Sequence, residues 1–208
     1  MTDIALCFAQ HDVHLVLLAA LVCLIGSAAS VQLFHCIRSA DGYSRLGWVM
    51  LTAVATGTMV WATHFVAMMA YRTSAPVVLD PIQTLGSLLV AISIAAPGLA
   101  LAASARRGAG VLGGGVIGAA IALMHYLGMS AYHVDGIVTW TWPVVAVSIL
   151  LSVGLSAAAF ARARQAGRAG ALRTMGLLAL GVVTLHFSGM AAMHITVIRL
   201  GDGLSPST

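Results

Sequence analysis

The sequence predicts an all-α integral membrane protein, in which six transmembrane helices form three repeated helical hairpins around a pseudo-threefold axis. Composition is the first reason, because 60% of the 208 residues are hydrophobic and only 8% are charged, with a mean hydropathy of +1.00. A soluble domain carries about 25% charged residues. The second reason is a set of six long apolar runs, and the third is a histidine motif that recurs at a fixed spacing.

The six apolar runs are each long enough to cross a hydrocarbon core, which takes about 20 helical residues. We place them near 14–37, 46–71, 82–105, 110–132, 142–163 and 172–198. Each run exceeds strand length and lacks turn signals, and none alternates as the strands of a membrane barrel do. We therefore expect an N-terminal segment (1–13), a six-helix membrane domain (14–198) and a flexible tail (199–208), with no cytoplasmic output domain within these residues.

The arginines predict the orientation in the membrane. Eight of the ten fall in the links after the first, third and fifth spans, namely Arg38, Arg45, Arg106, Arg107, Arg162, Arg164, Arg168 and Arg173. The opposite links hold Arg72 and Arg199 together with five of the six aspartates. The positive-inside rule predicts that the arginine-rich links are cytoplasmic, and that the N-terminus and residue 208 are extracytoplasmic. The first ten residues contain Asp3 and no basic residue, so we expect the first run to span the membrane rather than to be cleaved.

A histidine motif recurs near the ends of the second, fourth and sixth spans. In each copy a histidine is followed by an aromatic residue, and a methionine stands four places after the histidine. The histidines are His64, His125 and His186, so successive copies are 61 residues apart (125 − 64 and 186 − 125). A fixed period indicates an internal repeat. We therefore predict three related hairpins, at about 10–72, 77–133 and 138–194, around an axis along the membrane normal.

The motif residues have the chemistry of metal ligands. Histidine and methionine four residues apart lie on one helical face, one turn from each other. The pairs are His64/Met68, His125/Met129 and His186/Met190. Imidazole binds copper, zinc, iron and nickel, whereas thioether favours Cu(I), so the set predicts copper before zinc. Methionine as core filler and histidine bonded to a neighbouring helix are the structural alternatives, but three polar groups at one membrane depth favour a shared site.

Four further histidines are candidate ligands. His11 and His14 precede or begin the first span and could cover the site, although a capping turn around Asp12 explains them as well. His133 and His194 lie eight residues after two of the motif histidines and extend the same helical stripe outward. No carboxylate falls within this stripe, which argues against calcium, magnesium and a carboxylate-type proton pump.

The chain resembles the MHYT family of bacterial membrane sensor domains. The resemblance rests on the three His-aromatic motifs on alternate spans, on the arginine-bearing links and on the opening segment 11–18, and it covers about residues 10–198. It implies an inner-membrane input module that binds copper through the motif histidines and methionines. It also implies sensing of a diatomic gas (O2, CO or NO) or of redox or metal status, with a cytoplasmic output such as cyclic-di-GMP enzymes. The copies depart from the family motif at Leu127, which replaces threonine, and at Ala67, which replaces the glycine of the first copy.

Two other functions stay open at the level of sequence. A copper transport or delivery protein would need a path to the cytoplasmic face, for which Met50, Met59 and Met175 are candidates. A haem protein would use histidine pairs as axial ligands, although the repeat gives three equivalent histidines rather than two opposed ones. Zinc and haem iron are therefore the alternatives to copper. We expect no enzyme activity, because no serine or cysteine stands with a base. The expected partner is the lipid bilayer and not nucleic acid, since the basic excess follows membrane topology.

Overall fold

The computed structural model describes residues 11–72, 77–134, 136–163 and 167–197. Residues 1–10, Arg164, Arg199 and the predicted tail at 199–208 lie outside the described residues.

In the described part of the chain, six helices are long and apolar enough to cross a membrane, which confirms the predicted six-span, all-α membrane protein. They are α1 (Val13–Ser39), α2 (Gly42–Ala70), α3 (Pro81–Ala102), α4 (Ala109–Ser130), α5 (Trp142–Arg162) and α6 (Arg168–Ala191). The largest departure from the predicted spans is at the end of the sixth, which was expected to reach 198 but ends at Ala191.

Short antiparallel strands that the sequence did not predict join the two helices of each hairpin at one end of the bundle. They are β1 (Val77–Leu79), β2 (Tyr132–Val134), β3 (Gly136–Trp140) and β4 (Met193–Val197), paired as β1–β2 and β3–β4. A single bridge between His11 and Tyr71 takes the same place in the first hairpin. We call this end the histidine side, and the opposite end, whose loops carry Arg106 and Arg107, the arginine side.

The three hairpin closures repeat at the level of single hydrogen bonds. Each closure contains one backbone hydrogen bond of 2.8–2.9 Å. The donor is the N–H of Asp12, Asp80 or Thr141, and the acceptor is a carbonyl at the C-terminal end of the partner helix. These acceptors are Ala70, Ala131 and Ala192, which are 61 residues apart and fully buried. The 61-residue period therefore describes the fold as well as the sequence.

Local sequence explains where α1, α3 and α4 begin. The Asp80 carboxylate accepts from the backbone N–H groups of Ile82 and Gln83, and Pro81 stands at the first helical position. Asp12 caps α1 in the same way by accepting from His14. On the arginine side, Gly108 precedes α4 with φ of 78°, a left-handed conformation that glycine adopts without strain.

The even-numbered helices form the centre of the bundle. Each helix contains an 18-residue apolar stretch, of which 56% is buried in α2, α4 and α6, against 22% in α1 and 33% in α3 and α5. Neighbouring helices contact in a closed ring from α1 to α6 and back to α1, and α4 also contacts both α2 and α6. The motif histidines, which lie on the three inner helices, are thereby directed to one place.

Glycines bring α4 against α5. A Cβ atom at Gly118 would stand 2.6 Å from the carbonyl oxygen of Ser152, and one at Gly114 would stand 2.5 Å from that of Ser156. Small residues at this spacing allow helix backbones in lipid to approach closely. The Ser152 hydroxyl uses that approach and donates to the carbonyl of Gly118 at 3.1 Å.

Candidate metal centre

Three imidazoles meet inside the bundle about one and a half helical turns from its histidine side. His64, His125 and His186 come from α2, α4 and α6, and each is between 1 and 4% exposed. One nitrogen from each ring can be chosen so that all three lie within 4.8 Å of one another. Of the described residues with acidic, thiol or imidazole groups, only these three form such a cluster. We call it the triad.

The triad keeps an approximate threefold arrangement. Its ring centroids are 4.8, 5.5 and 5.6 Å apart, with interplanar angles of 80°, 74° and 78°. Each imidazole also packs edge-on against the aromatic residue that follows it in the chain, at 4.8, 5.0 and 5.3 Å. The repeated His-aromatic pair therefore fixes each ring from its own helix.

Glycines on neighbouring inner helices make room for two of the three rings. A Cβ atom at Gly128 of α4 would stand 2.6 Å from Nε2 of His64, and one at Gly189 of α6 would overlap Nε2 of His125. Both glycines stand three residues after a motif histidine. The first copy has Ala67 at this position, and His186 is the ring that stands further from the other two.

Hydrogen bonding within the triad is incomplete. Nδ1 of His64 and Nδ1 of His125 are 3.0 Å apart, so one of these two atoms carries a proton that it donates to the other. Nε2 of both rings and both nitrogens of His186 are buried without a hydrogen-bond partner among the described residues. A buried donor without a partner costs about 1–3 kcal/mol. The arrangement is therefore suited to a ligand that takes up imidazole lone pairs or N–H groups.

The donor set fits a metal ion. Imidazole–metal bonds of about 2.0–2.1 Å join nitrogens that are up to about 4 Å apart, so the three rings need to move inward by about 1 Å or less. All three donors are neutral, so the ion would keep its full charge in an apolar surrounding. Burial of charge at membrane depth is costly, which favours a monovalent ion over a divalent one.

The motif methionines lie together on the histidine side of the triad. Met68, Met129 and Met190 are buried in one apolar cluster with Met193 and Phe187. The structure therefore brings the three predicted thioethers to one place, directly above the predicted imidazoles.

A cavity of about 220 Å³ borders the triad, and its walls reach from Val60 and Val182 toward the arginine side to Ala67 and Phe187 toward the histidine side. Its walls contain two further sets of residues at the 61-residue period, namely Val60, Ile121 and Val182, and Thr63, Met124 and Leu185. The sequence interpretation missed these residues. The 61-residue repeat could have indicated them, since they stand four places and one place before the motif histidines in every copy.

His11 is the one additional candidate that the structure brings to the triad. It is 5% exposed, and its ring centroid is 6.2 Å from that of His186 and 5.3 Å from that of Tyr71. An ion pair between Asp12 and Arg72, with a separation of 2.6 Å, holds the adjoining backbone. Asp12 therefore caps α1 as one interpretation of this segment predicts, and His11 lies beside the triad, where its role as a ligand stays a prediction.

The other additional candidates lie away from the triad. His14 is exposed in the first turn of α1. His133 pairs with Val78 in β1–β2, and Nε2 of His194 lies 3.0 Å from the Thr141 hydroxyl. The prediction that residues eight places after the motif histidines continue a helical stripe is wrong, because α4 ends at Ser130 and α6 at Ala191. Beyond those ends the chain is extended, and side chains alternate between two faces.

Comparison with known proteins agrees with the repeat. Residues 57–115 and 118–176 each match the MHYT family, described as a bacterial signalling protein N-terminal repeat, and the two matches are offset by 61 residues (118 − 57). The matched segments begin within the even-numbered helices, so their frame differs from that of the predicted hairpins. No solved structure matches the chain.

Three curated relatives are similar over most of this chain. An uncharacterized signaling protein of Caulobacter vibrioides is 41% identical over 191 residues, which is 89% of this chain and 23% of the relative. The cyclic di-GMP phosphodiesterase NbdA of Pseudomonas aeruginosa is 31% identical over 90% of this chain and 25% of its own length. The bifunctional diguanylate cyclase/cyclic di-GMP phosphodiesterase MucR of the same organism is 33% identical over 88% and 28%. The chain thus spans about a quarter of the length of these relatives.

The fold and the site define a bacterial multi-pass membrane protein built from a triplicated helical hairpin around a buried histidine cluster. The family match covers more than half of its residues, and the relatives are signalling proteins. The chain belongs to the MHYT family of membrane signalling domains, which confirms the resemblance noted in its sequence.

Proposed function

We propose that the chain is a membrane-embedded sensory module that binds one copper ion through His64, His125 and His186. The observation that carries the proposal is the meeting of three buried imidazoles, with one nitrogen from each within 4.8 Å of the others, on three equivalent helices. Imidazole and thioether donors together favour Cu(I) over Zn²⁺. Met68, Met129 and Met190 supply the thioethers from the adjacent cluster, and His11 serves as a fourth imidazole donor.

The proposed signal is a diatomic gas (O2, CO or NO) or a change in redox or copper status. Bound copper would supply a redox-active centre with affinity for such molecules. The protein residues then hold the ion in an apolar surrounding and exclude carboxylate ligands. Because His64 packs on Gly128 of α4 and His125 packs on Gly189 of α6, a shift of either ring moves the contact between two inner helices. Such a shift carries the signal when two packings of the helices are close in energy.

The proposed output is cytoplasmic. Two of the relatives are named for cyclic di-GMP turnover, and the chain matches about a quarter of each. The module would therefore act on a cyclic-di-GMP enzyme at the arginine side, where α1–α2, α3–α4 and α5–α6 are connected. The proposal assigns this chain an input role and no catalytic residue.

The alternatives receive less support from the geometry. Met50 and Met59 are two of the candidates for a transport path. Met50 is 47% exposed on α2, whereas Met59 packs against Gly26 of α1. These two methionines therefore do not face a common path. A haem would need a planar slot beside an axial histidine, but the histidine rings pack against each other and against Gly128 and Gly189.

Metal analysis of the purified protein tests the proposal. We expect about one copper per chain after reconstitution with Cu(I), and a loss of at least tenfold in affinity for His125→Ala. The matched control is His35→Ala, which removes a histidine near the end of α1 on the arginine side. Equal copper binding by the parent protein and His125→Ala would contradict the proposed ligands, and preferential retention of zinc would contradict the proposed metal.

A further inference from the structure

The cavity that borders the triad differs from the metal centre in size and chemistry. Its volume of about 220 Å³ is several times that of a diatomic molecule, since one water takes up about 30 Å³ of liquid. Apart from Thr63 and the triad, its walls are apolar side chains, alanines included, from α1, α2, α4 and α6. An apolar cavity of about 150 Å³ in another protein stays dry and binds benzene. This cavity therefore has room for a molecule of at least that size.

The cavity lies at the least tightly closed seam of the helix ring. At the α2–α3 seam, Trp61 donates a hydrogen bond of 2.9 Å to the carbonyl of Thr84, and Gly57 packs against Ile92. At the α4–α5 seam, the Tyr126 hydroxyl lies 2.5 Å from that of Ser148. Both seams are thus closed by a polar contact near the level of the triad.

The α6–α1 seam has a smaller residue at the position of Trp61. The third-copy equivalent of Trp61 is Val183 (61 + 122). The contact between α1 and α6 is the least extensive of the six neighbouring pairs in the described ring. Val183 and two residues of α1, Val16 and Ala20, are half-buried and line the cavity. The cavity wall therefore faces the bilayer at this seam.

We propose that this cavity is a binding site for a neutral, apolar molecule about the size of a single aromatic ring, which enters from the bilayer between α1 and α6. The imidazoles of the triad form one wall of the site. A bound molecule would therefore contact the rings directly. Binding requires no metal, so this proposal stands independently of the copper site.

Binding of fluorobenzene to metal-free protein in lipid nanodiscs tests the proposal, with fluorine NMR as the readout and protein-free nanodiscs as the background. We expect a saturable bound signal at about one molecule per chain. Ala20→Phe and Val183→Trp should each fill the cavity and lower the affinity at least tenfold. The second change installs the residue that closes the α2–α3 seam, so the fold has a precedent for it.

Matched controls place the same side chains on lipid-facing positions of the same helices. Ala29→Phe on α1 and Leu180→Trp on α6 are exposed and lie outside the cavity walls, so both should bind fluorobenzene as the parent does. Thermal unfolding and size-exclusion chromatography identify the variants that fold. A parent protein with no saturable signal above the background would overturn the proposal, as would unchanged binding in a folded Ala20→Phe or Val183→Trp variant.

Discussion

Single residues determine how closely the three imidazoles approach. The glycines three places after His125 and His186 provide the surfaces on which His64 and His125 lie. An added methyl group at either position has no space, because the nearest atoms belong to the buried rings of His64 and Phe65 at Gly128 and of His125 at Gly189. Overpacking of this kind costs about 1–3 kcal/mol.

Gly189→Ala is therefore expected to displace His125 and to lower copper affinity at least tenfold, as measured by competition with a Cu(I) chelator. Gly176→Ala on the same helix is the control, because a Cβ atom there meets nothing within 4 Å. Unchanged copper affinity in Gly189→Ala would show that the position of the His125 ring does not matter for the metal.

The alanine of the first copy allows the opposite experiment. Ala67→Gly removes the methyl group at the position where the other two copies have glycine, so His186 is expected to approach the other rings. We predict a rise in copper affinity of about three- to tenfold. Ala62→Gly, a half-buried position on the same helix, controls for the helix propensity of glycine, which costs about 1 kcal/mol. A fall in affinity specific to Ala67→Gly would contradict this explanation.

The segment that carries His11 over the triad should depend on pH. The Arg72 guanidinium, followed by the backbone N–H of His14, holds the pKa of the Asp12 carboxyl below its ordinary value. A carboxyl whose pKa is lowered by folding stabilises the fold above its unfolded pKa, and that contribution is lost as the pH falls through the folded pKa. The effect is small because Asp12 and Arg72 face solvent.

Hydrogen exchange of the Asp12 amide, which donates to Ala70, measures this contribution. Protection, corrected for intrinsic exchange, should be constant around neutral pH and fall in the acid range below the ordinary carboxyl pKa. Arg72→Gln should lower it already at neutral pH, whereas Arg45→Gln on the arginine side should not. Equal protection in Arg72→Gln and the parent protein would show that the ion pair does not hold this segment.

At the scale of elements, the helices were predictable because their apolar runs exceed strand length and match the thickness of a bilayer. The end of α6 and the short strands on the histidine side were not. Hydropathy continues past Ala191 into Met193–Val197, so the apolar run did not reveal the change from helix to strand. The pairing of β3 with β4 depends on contacts between residues 53 or more positions apart in the chain (193 − 140), which a local pattern cannot give.

The contact between α4 and α5 makes a prediction at the same scale. Gly118→Val should separate the two helices, since a Cβ atom there stands 2.6 Å from backbone atoms of α5, and it should lower thermal stability clearly. Gly115→Val is the control, because its Cβ atom would meet only the Val153 side chain at 3.8 Å. Equal melting temperatures of the two variants would contradict the close glycine packing.

At the scale of the whole molecule, the 61-residue period allowed the sequence to predict that the motif histidines lie at one depth on equivalent helices. It could not give the relative position of the three hairpins. The approach of His11, the cavity and the looser α6–α1 seam all depend on that position. They arise where the copies differ, as at Trp61 and Val183, and not where they agree.

The orientation of the bundle is a prediction of the arginine distribution. We expect the histidine side to be extracytoplasmic, so that the triad lies near the outer interface. Single cysteines introduced at Tyr43 on the arginine side and at Ile137 on the histidine side, both exposed, should react differently with a membrane-impermeant maleimide in intact cells. In a background with the native cysteines replaced, Ile137→Cys should be labelled and Tyr43→Cys protected. The reverse pattern would invert the proposed topology.

The central claim is that three imidazoles from three repeats hold one copper ion, and X-ray absorption at the copper edge tests it most directly. The claim predicts imidazole scattering from about three nitrogens near 2.0 Å, reduced by about one ligand in His186→Ala, with sulfur scattering if the motif methionines also bind. Copper bound at one ion per chain without imidazole scattering, or with a spectrum unchanged by His186→Ala, would contradict it.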